Sequence, residues 1–233
     1  MDSKFTGKER WTFSGIEENF DSHVSKSVPL YDEFHELALS YADFLLKTDS
    51  VVLDLGCSTG TFANKLCERF DNLENLKVIG VDEVDEMVAH AQAINASDRR
   101  IEFAQQKIEL MEFPGNTQLV TSFFTLQFLH PRHRQDTIQK IYDSLDWGGG
   151  FILAEKVRAP DARFQDWASQ IYMDFKTRQG YSDDEINSKS RSLRGVMEPF
   201  STEENKRMLA RAGFVDVMTI GKWVCFEVFL AVK

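Results

Sequence analysis

Two glycines enclose a short polar segment where an apolar run gives way to a helical pattern. Residues 51–56 are rich in β-branched side chains and predict a buried strand, and Gly56 begins the turn after it. Cys57 and Ser58 come next, and Gly60 precedes the apolar spacing of a helix. Glycine lets the backbone approach a ligand closely, and the N–H groups that begin a helix bind anionic or polar groups. The segment therefore predicts a ligand-binding loop, with a plain strand-to-helix turn as the alternative.

An acidic pair follows the second apolar run, residues 76–82, which also predicts a buried strand. Asp82 stands where a carboxylate accepts hydrogen bonds from two ribose hydroxyls, and Glu83 is its neighbour. Met87 follows in a helical pattern, where a flexible thioether suits one face of an adenine ring. Strand, glycine loop, helix, strand and acid together indicate a nucleoside site. The alternative is a solvated Asp82 that caps the next helix.

The elements that position these residues alternate between strand and helix. Strands are predicted at residues 51–56, 76–82, 101–105, 119–124 and 151–155, and at 215–220 and 224–232, which are joined through Gly221. Helices are predicted at residues 34–45, 58–70, 85–95, 132–145 and 203–212, with a turn at 147–150. This alternation predicts an α/β fold with a doubly wound, seven-stranded, mostly parallel sheet. The tight connection between the last two strands predicts a hairpin in which one strand runs antiparallel to the rest of the sheet.

Two regions fall outside the alternation. Residues 1–47 predict an N-terminal arm with a lid helix, in which Trp11 is an apolar anchor. Residues 161–200 are mainly helical in pattern and interrupt the domain predicted for residues 48–233. We expect this insertion to cover the carboxyl edge of the sheet, where the ligands of open α/β sheets bind.

Composition limits the classes of function. The 233 residues include 37 acidic and 27 basic side chains, and the net charge of −10 disfavours a nucleic-acid partner. No apolar run approaches the roughly 20 residues of a membrane helix, and the N-terminus lacks the apolar stretch of a signal peptide. The three cysteines follow no metal-ligand spacing. We therefore expect a cytoplasmic protein with a small-molecule substrate, no bound metal and no membrane partner.

The loop and Asp82 resemble those of the class I S-adenosylmethionine-dependent methyltransferases. That resemblance implies a Rossmann-like fold over residues 48–233, with S-adenosylmethionine as cofactor and Asp82 on its ribose. Further segments are similar to a narrower group, the carboxy-S-adenosylmethionine synthases: residues 26–31, 124–129, 154–156, 174–176 and 180–182. Those enzymes make carboxy-S-adenosylmethionine from S-adenosylmethionine and prephenate, for wobble-uridine modification in bacterial transfer RNA.

The motifs and the resemblance together give a set of candidate site residues. Those for the cofactor are Tyr31, Asp54, Gly56, Cys57, Ser58, Gly60, Asp82, Glu83, Met87, Ile108 and Phe123. Those for the substrate are Tyr31, Tyr172, Tyr181 and Arg191, and no catalytic side chain is assigned. Tyr31 has a core tyrosine as its alternative. Because strand neighbours face opposite ways, one of Phe123 and Phe124 is expected to pack and the other to face the ligand.

Three positions depart from the pattern of the synthases. Lys107 stands in place of an acid that meets the adenine amino group, and Phe123 stands in place of an asparagine. Ser190 stands in place of the arginine that binds the carboxylate. Arg191 is the next residue, but one step along a helix turns a side chain by about 100 degrees. Glu155 and Lys156 are expected to pair with each other at the end of the fifth strand.

The leading hypothesis is an S-adenosylmethionine-dependent transferase that methylates a small molecule. The sulfonium is already activated, so the protein need only align an acceptor and exclude water. The alternatives are a carboxy-S-adenosylmethionine synthase, an enzyme that cyclises the cofactor intramolecularly, and a catalytically silent partner protein that binds the cofactor. Because the synthases are dimers whose arginine reaches the partner's site, we also expect a homodimer, with residues 183–194 near the two-fold axis.

Overall fold

The computed structural model describes residue 15 and residues 17–233, in which one sheet contains seven strands. The strands are β1 (Val51–Leu55), β2 (Lys77–Asp82), β3 (Ile101–Gln105), β4 (Thr117–Phe123), β5 (Leu145–Lys156), β6 (Asp216–Trp223) and β7 (Phe226–Val232). Their order across the sheet is β3-β2-β1-β4-β5-β7-β6, and β7 runs antiparallel to both of its neighbours. The predicted doubly wound, mostly parallel sheet is confirmed.

Helices cover both faces of the sheet because the central strands β1, β4, β5 and β7 carry buried apolar side chains on both sides. The helices are α1 (Phe20–Ser27), α2 (Tyr31–Leu45), α3 (Thr61–Arg69), α4 (Asp85–Ile94), α5 (Pro131–Ser144), α6 (Ala162–Arg178), α7 (Asp183–Ser192) and α8 (Thr202–Ala212). Val52 and Leu53 are neighbours in β1 and belong to opposite cores. Phe34 of α2 packs in the first core, and Ile138 of α5 and Leu209 of α8 pack in the second.

In the described residues, the arm contains α1 and α2 and the insertion contains α6 and α7. In the insertion, Asp161 caps α6 by accepting a hydrogen bond from the Phe164 N–H at 3.0 Å, and Ser182 begins α7 with a capping box. Residues 1–14 of the arm, including Trp11, lie outside the described residues, as does residue 16. In the part that the structure describes, no helix has both the length and the apolar character needed to cross a membrane.

The turn predicted at residues 147–150 is wrong, because these residues lie inside β5. Thr117 of β4 pairs with Leu145, whereas Leu119 pairs with Gly150, so the intervening residues of β5 form an irregular bulge. A Cβ atom on Gly150 would lie 2.6 Å from Cδ1 of a leucine in α2. This glycine therefore serves close packing between the strand and the helix.

The connection predicted through Gly221 is also misplaced. Gly221 lies within β6 and pairs with Val228, and the chain turns at Val224, whose φ is 46°. A Cβ atom on Gly221 would lie 3.1 Å from Cε1 of Phe34. A glycine inside a strand often marks the close approach of another element, which here is α2.

We expect the substitution Phe151→Ala in β5 to lower the free energy of unfolding by about 3–5 kcal/mol, because it leaves a cavity in the core. The Phe151 side chain is 0 % exposed. Phe44 of α2 is 85 % exposed, so Phe44→Ala is the matched control and should change the free energy by less than about 0.5 kcal/mol. Urea unfolding followed by circular dichroism measures both. Equal losses for the two variants would contradict this placement of the core.

Candidate active site

The loop between β1 and α3 crosses the carboxyl edge of the sheet with three residues in the left-handed region. Gly56, Ser58 and Gly60 have φ values of 75°, 49° and 77°. A Cβ atom on Gly56 would lie 2.1 Å from Oγ1 of Thr125, beyond the end of β4, so the loop requires glycine there. The Gly56 N–H donates to the carbonyl oxygen of Val81 at 2.7 Å. These contacts fix the loop against the ends of β2 and β4.

Asp82 ends β2 and lies against this loop. Its Oδ2 accepts a hydrogen bond from the Ser58 N–H at 3.0 Å, and its Oδ1 accepts one from the Val84 N–H at 3.0 Å. Burial raises the pKa of Asp82, while these N–H groups favour its charged form. A carboxylate oxygen accepts more than one hydrogen bond, so both oxygens retain the capacity to bind a hydroxyl group. Asp82 does not cap α4, whose N-cap residue is Val84.

An apolar wall adjoins Asp82. Met87 in the first turn of α4 is buried, and its Sδ accepts a hydrogen bond from Ser58 Oγ at 3.5 Å. Ile108, in a short 3-10 helix after β3, is also buried. Glu83 is exposed at the same edge. A carboxylate next to thioether and aliphatic surface is an arrangement that suits a nucleoside.

One cavity of about 1320 Å³ joins these residues to the arm and to the insertion. Its walls come from α1, the loop after β1, the carboxyl ends of β2, β4 and β5, and helices α6 and α7. The candidate residues that line it are Tyr31, Gly56, Ser58, Asp82, Glu83, Met87, Ile108, Phe123 and Tyr172. The structure therefore brings candidates for the cofactor and for the substrate into a single space.

Asp54 at the end of β1, and Cys57 and Gly60 in the loop, do not line this cavity. Asp54 accepts a hydrogen bond from Thr121 Oγ1 at 2.7 Å, and burial raises its pKa to about 7. Burial also raises the pKa of the Cys57 thiol, so the thiol is protonated at neutral pH and is not an activated nucleophile. Asp54 and Cys57 border a separate pocket of about 20 Å³, and Gly60 is the N-cap residue of α3.

Phe123 and Phe124 both line the cavity, and Phe124 is also buried in the first core. β4 ends at Phe123, and Phe124 has a φ of 57°, which interrupts the alternation of a strand. The Phe123 ring lies 4.4 Å from the His35 ring, and the Phe124 ring lies 6.2 Å from the Tyr31 ring, between centroids. A bulky side chain in the left-handed region costs about 1–3 kcal/mol, so the turn after β4 is strained.

Gln127, which was not among the candidates, stabilises this strained turn. Its Nε2 donates to the Phe124 carbonyl oxygen at 3.1 Å, and its Oε1 accepts a hydrogen bond from the Lys156 N–H at 3.0 Å. Its own N–H donates to Oε1 of Glu155 at 3.2 Å. Gln127 therefore joins the ends of β4 and β5. The only sequence signal for it was the resemblance of residues 124–129 to the synthases.

Three lysines at the far end of the cavity were not predicted as site residues. They are Lys156, Lys176 and Lys189, from β5, α6 and α7. The expected pair of Glu155 and Lys156 does not form, because neighbours in a strand face opposite sides. Glu155 is buried and accepts the hydrogen bond from Gln127, whereas Lys156 faces the cavity.

Arg191 and Tyr181 do not line the cavity. Arg191 lies on the exposed side of α7, and Lys189 is the cationic side chain that this helix directs into the cavity. The Tyr181 hydroxyl forms hydrogen bonds with Ser27 Oγ at 3.2 Å and with His23 Nδ1 at 3.3 Å. Tyr181 thus holds α1 in place through these hydrogen bonds. Lys189, rather than Arg191, is the candidate cation on α7.

Comparisons with known proteins show the family. A methyltransferase-domain family matches residues 52–149. The carboxy-S-adenosyl-L-methionine synthase of Staphylococcus epidermidis is 36% identical over 229 residues, which cover 96% of this chain and 97% of that protein. The synthase of Campylobacter concisus is 38% identical over 92% of this chain and 90% of its own length. The chain belongs to the carboxy-S-adenosyl-L-methionine synthase family.

Solved methyltransferase structures have a fold similar to that of this chain. The methyltransferase SibL aligns with a TM-score of 0.67 and 18% identity, over 94% of this chain and 59% of its own. Human N-acetylserotonin methyltransferase in complex with S-adenosylmethionine aligns with a TM-score of 0.64 and 17% identity, over 94% and 56%. This member of the synthase family is an S-adenosyl-L-methionine-dependent transferase with a Rossmann-like fold, and S-adenosyl-L-methionine is its cofactor.

The three departures from the synthase pattern have different surroundings. Lys107 is exposed and does not line the cavity. Phe123 lines it at the end of β4, and Ser190 lines it from α7. Ser190 brings no charge, but Lys189 beside it supplies a cation to the same wall.

We expect Asp82→Ala to weaken S-adenosyl-L-methionine binding about 10- to 150-fold, because hydrogen bonds to a charged group are lost. Isothermal titration calorimetry gives the dissociation constant. Asp85, an exposed acid in the first turn of α4 that does not line the cavity, is the matched control, and Asp85→Ala should bind as the parent does. An unchanged dissociation constant for Asp82→Ala would place the nucleoside elsewhere.

Proposed function

We propose that this chain makes carboxy-S-adenosyl-L-methionine from S-adenosyl-L-methionine and a carboxylated small molecule. The observation that carries the proposal is the convergence of the segments similar to the synthases on one cavity. Tyr31, Phe124, Lys156 and Lys176 each come from a different one of those segments, and all four line it. Segments similar to those of the synthases are thus concentrated where a second substrate would lie.

For the cofactor we propose a position that follows the geometry of the strand ends. The ribose hydroxyls bind Asp82, whose oxygens are oriented by the N–H groups of Ser58 and Val84. The adenine lies against Met87 and Ile108, which are buried beside Asp82 and line the cavity. The methionine end then extends past Ser58 toward the centre of the cavity.

The proposed net reaction replaces one hydrogen of the sulfonium methyl group with a carboxylate. A C–H bond breaks, and a C–C bond forms to the carbon of carbon dioxide released by the second substrate. The resemblance makes prephenate the first co-substrate to test: it loses carbon dioxide and hydroxide and becomes phenylpyruvate. The hydroxide takes the methyl proton and leaves as water, so no oxidant or reductant is needed. The protein aligns the two molecules and excludes bulk water.

The size of the cavity supports a reaction between two molecules. Pockets for one drug-sized ligand measure about 300–1,000 Å³. The cavity of about 1320 Å³ exceeds that range and therefore has room for the cofactor and a small co-substrate together. The arm closes it on one side, because the Tyr172 hydroxyl of α6 donates to the Ser27 carbonyl oxygen of α1 at 2.9 Å.

We expect the purified protein to convert S-adenosyl-L-methionine, in the presence of prephenate, to a product heavier by one carbon dioxide. Mass spectrometry of the reaction mixture detects it, and omission of prephenate is the control. Methylation of an added acceptor would support methyl transfer instead, and methylthioadenosine formed without acceptor would support intramolecular cyclisation. Cofactor binding without any product would support a catalytically silent partner protein. Each of these three results would contradict the proposal.

We further propose that the protein is a cytoplasmic homodimer that acts on small molecules rather than on nucleic acids or membranes. An exposed apolar stripe on α6 supports a protein interface: Phe164, Trp167 and Ile171 are 49 %, 54 % and 42 % exposed and follow helical spacing. All three cysteines are buried and unpaired, in keeping with a reducing compartment. The net charge of −10 disfavours a phosphate-rich partner.

We expect the parent to have twice the monomer mass of 26.8 kDa in light scattering at micromolar concentration. Trp167→Glu places a charge in the apolar stripe and should shift the protein toward the monomer, because desolvating an unpaired carboxylate opposes association. Phe44→Glu, at an exposed position of α2, is the control and should leave the mass unchanged. A monomeric parent would refute the dimer, and a dimeric Trp167→Glu variant would move the interface away from α6.

A further inference from the structure

Three lysines from different elements meet at the end of the cavity that is formed by β5, α6 and α7. Lys176 is buried, and Lys156 and Lys189 are half-buried. The Nζ atoms of Lys156 and Lys176 lie 4.4 Å and 4.6 Å from the centroid of the Tyr172 ring. One aromatic ring is therefore shared by two cations, and cation–π attraction offsets only part of the cost of their burial.

The cluster brings three lysine side chains together away from water, which lowers the pKa of each of them. Burial and the charges of Lys176 and Lys156 lower the pKa of Lys189 to about 7. Burial and the charge of Lys156 lower the pKa of Lys176 to about 8. Among residues 17–233, no carboxylate forms an ion pair with Lys156 or Lys176. Two buried or half-buried cations without a described carboxylate partner favour an anionic ligand.

The cluster lies on the opposite side of the cavity from the nucleoside-binding elements. The glycine loop follows β1 and Asp82 ends β2, whereas Lys156 ends β5. β4 lies between β1 and β5, so at about 4.8 Å per strand the end of β5 is about 10 Å from the end of β1. Lys176 and Lys189 extend the cationic wall farther from the loop, into the insertion.

We propose that Lys156, Lys176 and Lys189 bind the carboxylates of the second substrate, a small molecule with at least two carboxylate groups. This inference rests on the proposed function, because it assigns the cluster to the co-substrate of that reaction. Lysine ammonium groups have three rotatable donors and adapt to separated carboxylates. Several cations match a dianion better than a monoanion, so the cluster selects for dicarboxylates. It also supplies the positive charge that Ser190 does not.

A histidine of α1, in the arm, contacts the lysine cluster. Nε2 of His23 in α1 lies 2.6 Å from Nζ of Lys189. Burial and the charges of Lys189 and Lys26 lower the pKa of His23 to about 4, so its imidazole is neutral. An ammonium group only donates, so Nε2 accepts from Lys189 and the proton is on Nδ1, which donates to the Tyr181 hydroxyl. His23 thus orients Lys189 without adding a competing charge.

The test is calorimetric binding of prephenate, which has two carboxylates, and phenylpyruvate, which has one, to the full chain saturated with S-adenosylhomocysteine. We expect the parent to bind prephenate at least about tenfold more tightly than phenylpyruvate. Lys176→Gln and Lys189→Gln should each weaken prephenate binding about tenfold or more, because a charge-assisted hydrogen bond is lost. Binding of S-adenosyl-L-methionine to the two variants should change less than about twofold, because the proposed position of the cofactor lies away from the lysines. A larger change would mean that the cofactor itself contacts the lysines.

Two variants control for charge and for folding. Lys47→Gln removes an exposed lysine after α2 that does not line the cavity, and it should bind prephenate as the parent does. Lys176→Arg keeps the charge and should retain more prephenate affinity than Lys176→Gln. Thermal unfolding shows whether each variant folds. If Lys176→Gln does not fold, Lys189→Gln, at a half-buried position, decides the question alone.

The possible results separate this inference from the proposed reaction. Unchanged prephenate binding in both glutamine variants overturns the anion site, whether or not carboxy-S-adenosyl-L-methionine is formed by the parent. Loss of S-adenosyl-L-methionine binding in the same variants also overturns it, because the lysines would then hold the methionine carboxylate. Lysine-dependent binding of prephenate by a parent that forms no carboxylated product supports the anion site and contradicts the proposed reaction.

Discussion

The contact of the Gly56 backbone with the Thr125 side chain is the constraint on which the cavity depends. The strand order reverses between β1 and β4, and a crevice opens at the carboxyl ends of strands where the order reverses. A side chain at position 56 would overlap Thr125. Glycine at this position therefore allows the loop to lie directly against the turn after β4. Asp82 fixes the loop from the opposite side through Ser58. The part of the cavity that Asp82 lines therefore depends on this junction.

The second half of the cavity depends on the same junction through a single amide side chain. Phe124 adopts a strained conformation one residue before Thr125, and the side chain of Gln127 bonds to its carbonyl oxygen. The oxygen of the same amide accepts a hydrogen bond from the Lys156 N–H. The turn after β4 therefore fixes the position of Lys156 at the end of β5. The backbone strain of this turn is thus offset by hydrogen bonds that also order the end of β5, where Lys156 faces the cavity.

The fold could be predicted from the sequence because buried strands that alternate with amphipathic helices leave few topologies. The glycine loop and Asp82 could be located because their chemistry lies at strand ends, which local patterns reveal. Lys156, Lys176 and Lys189 could not, since they belong to three elements and meet only through tertiary packing. Gly221 was misplaced for a related reason: a glycine required by a neighbouring helix has the same sequence signal as a turn glycine.

The hydrogen bonds of α1 have a consequence for the order in which the molecule is assembled. Ser27 bonds to Tyr172 and His23 to Lys189, partners that lie 145 and 166 residues later in the chain. During synthesis the arm leaves the ribosome well before the helices that hold it exist, and contacts between such distant residues form late in folding. A nascent chain that ends before α6 lacks the wall against which α1 closes. Strands β1 to β5 are therefore synthesised before the helices that close the cavity, whereas β6 and β7, which complete the sheet, are synthesised only after those helices.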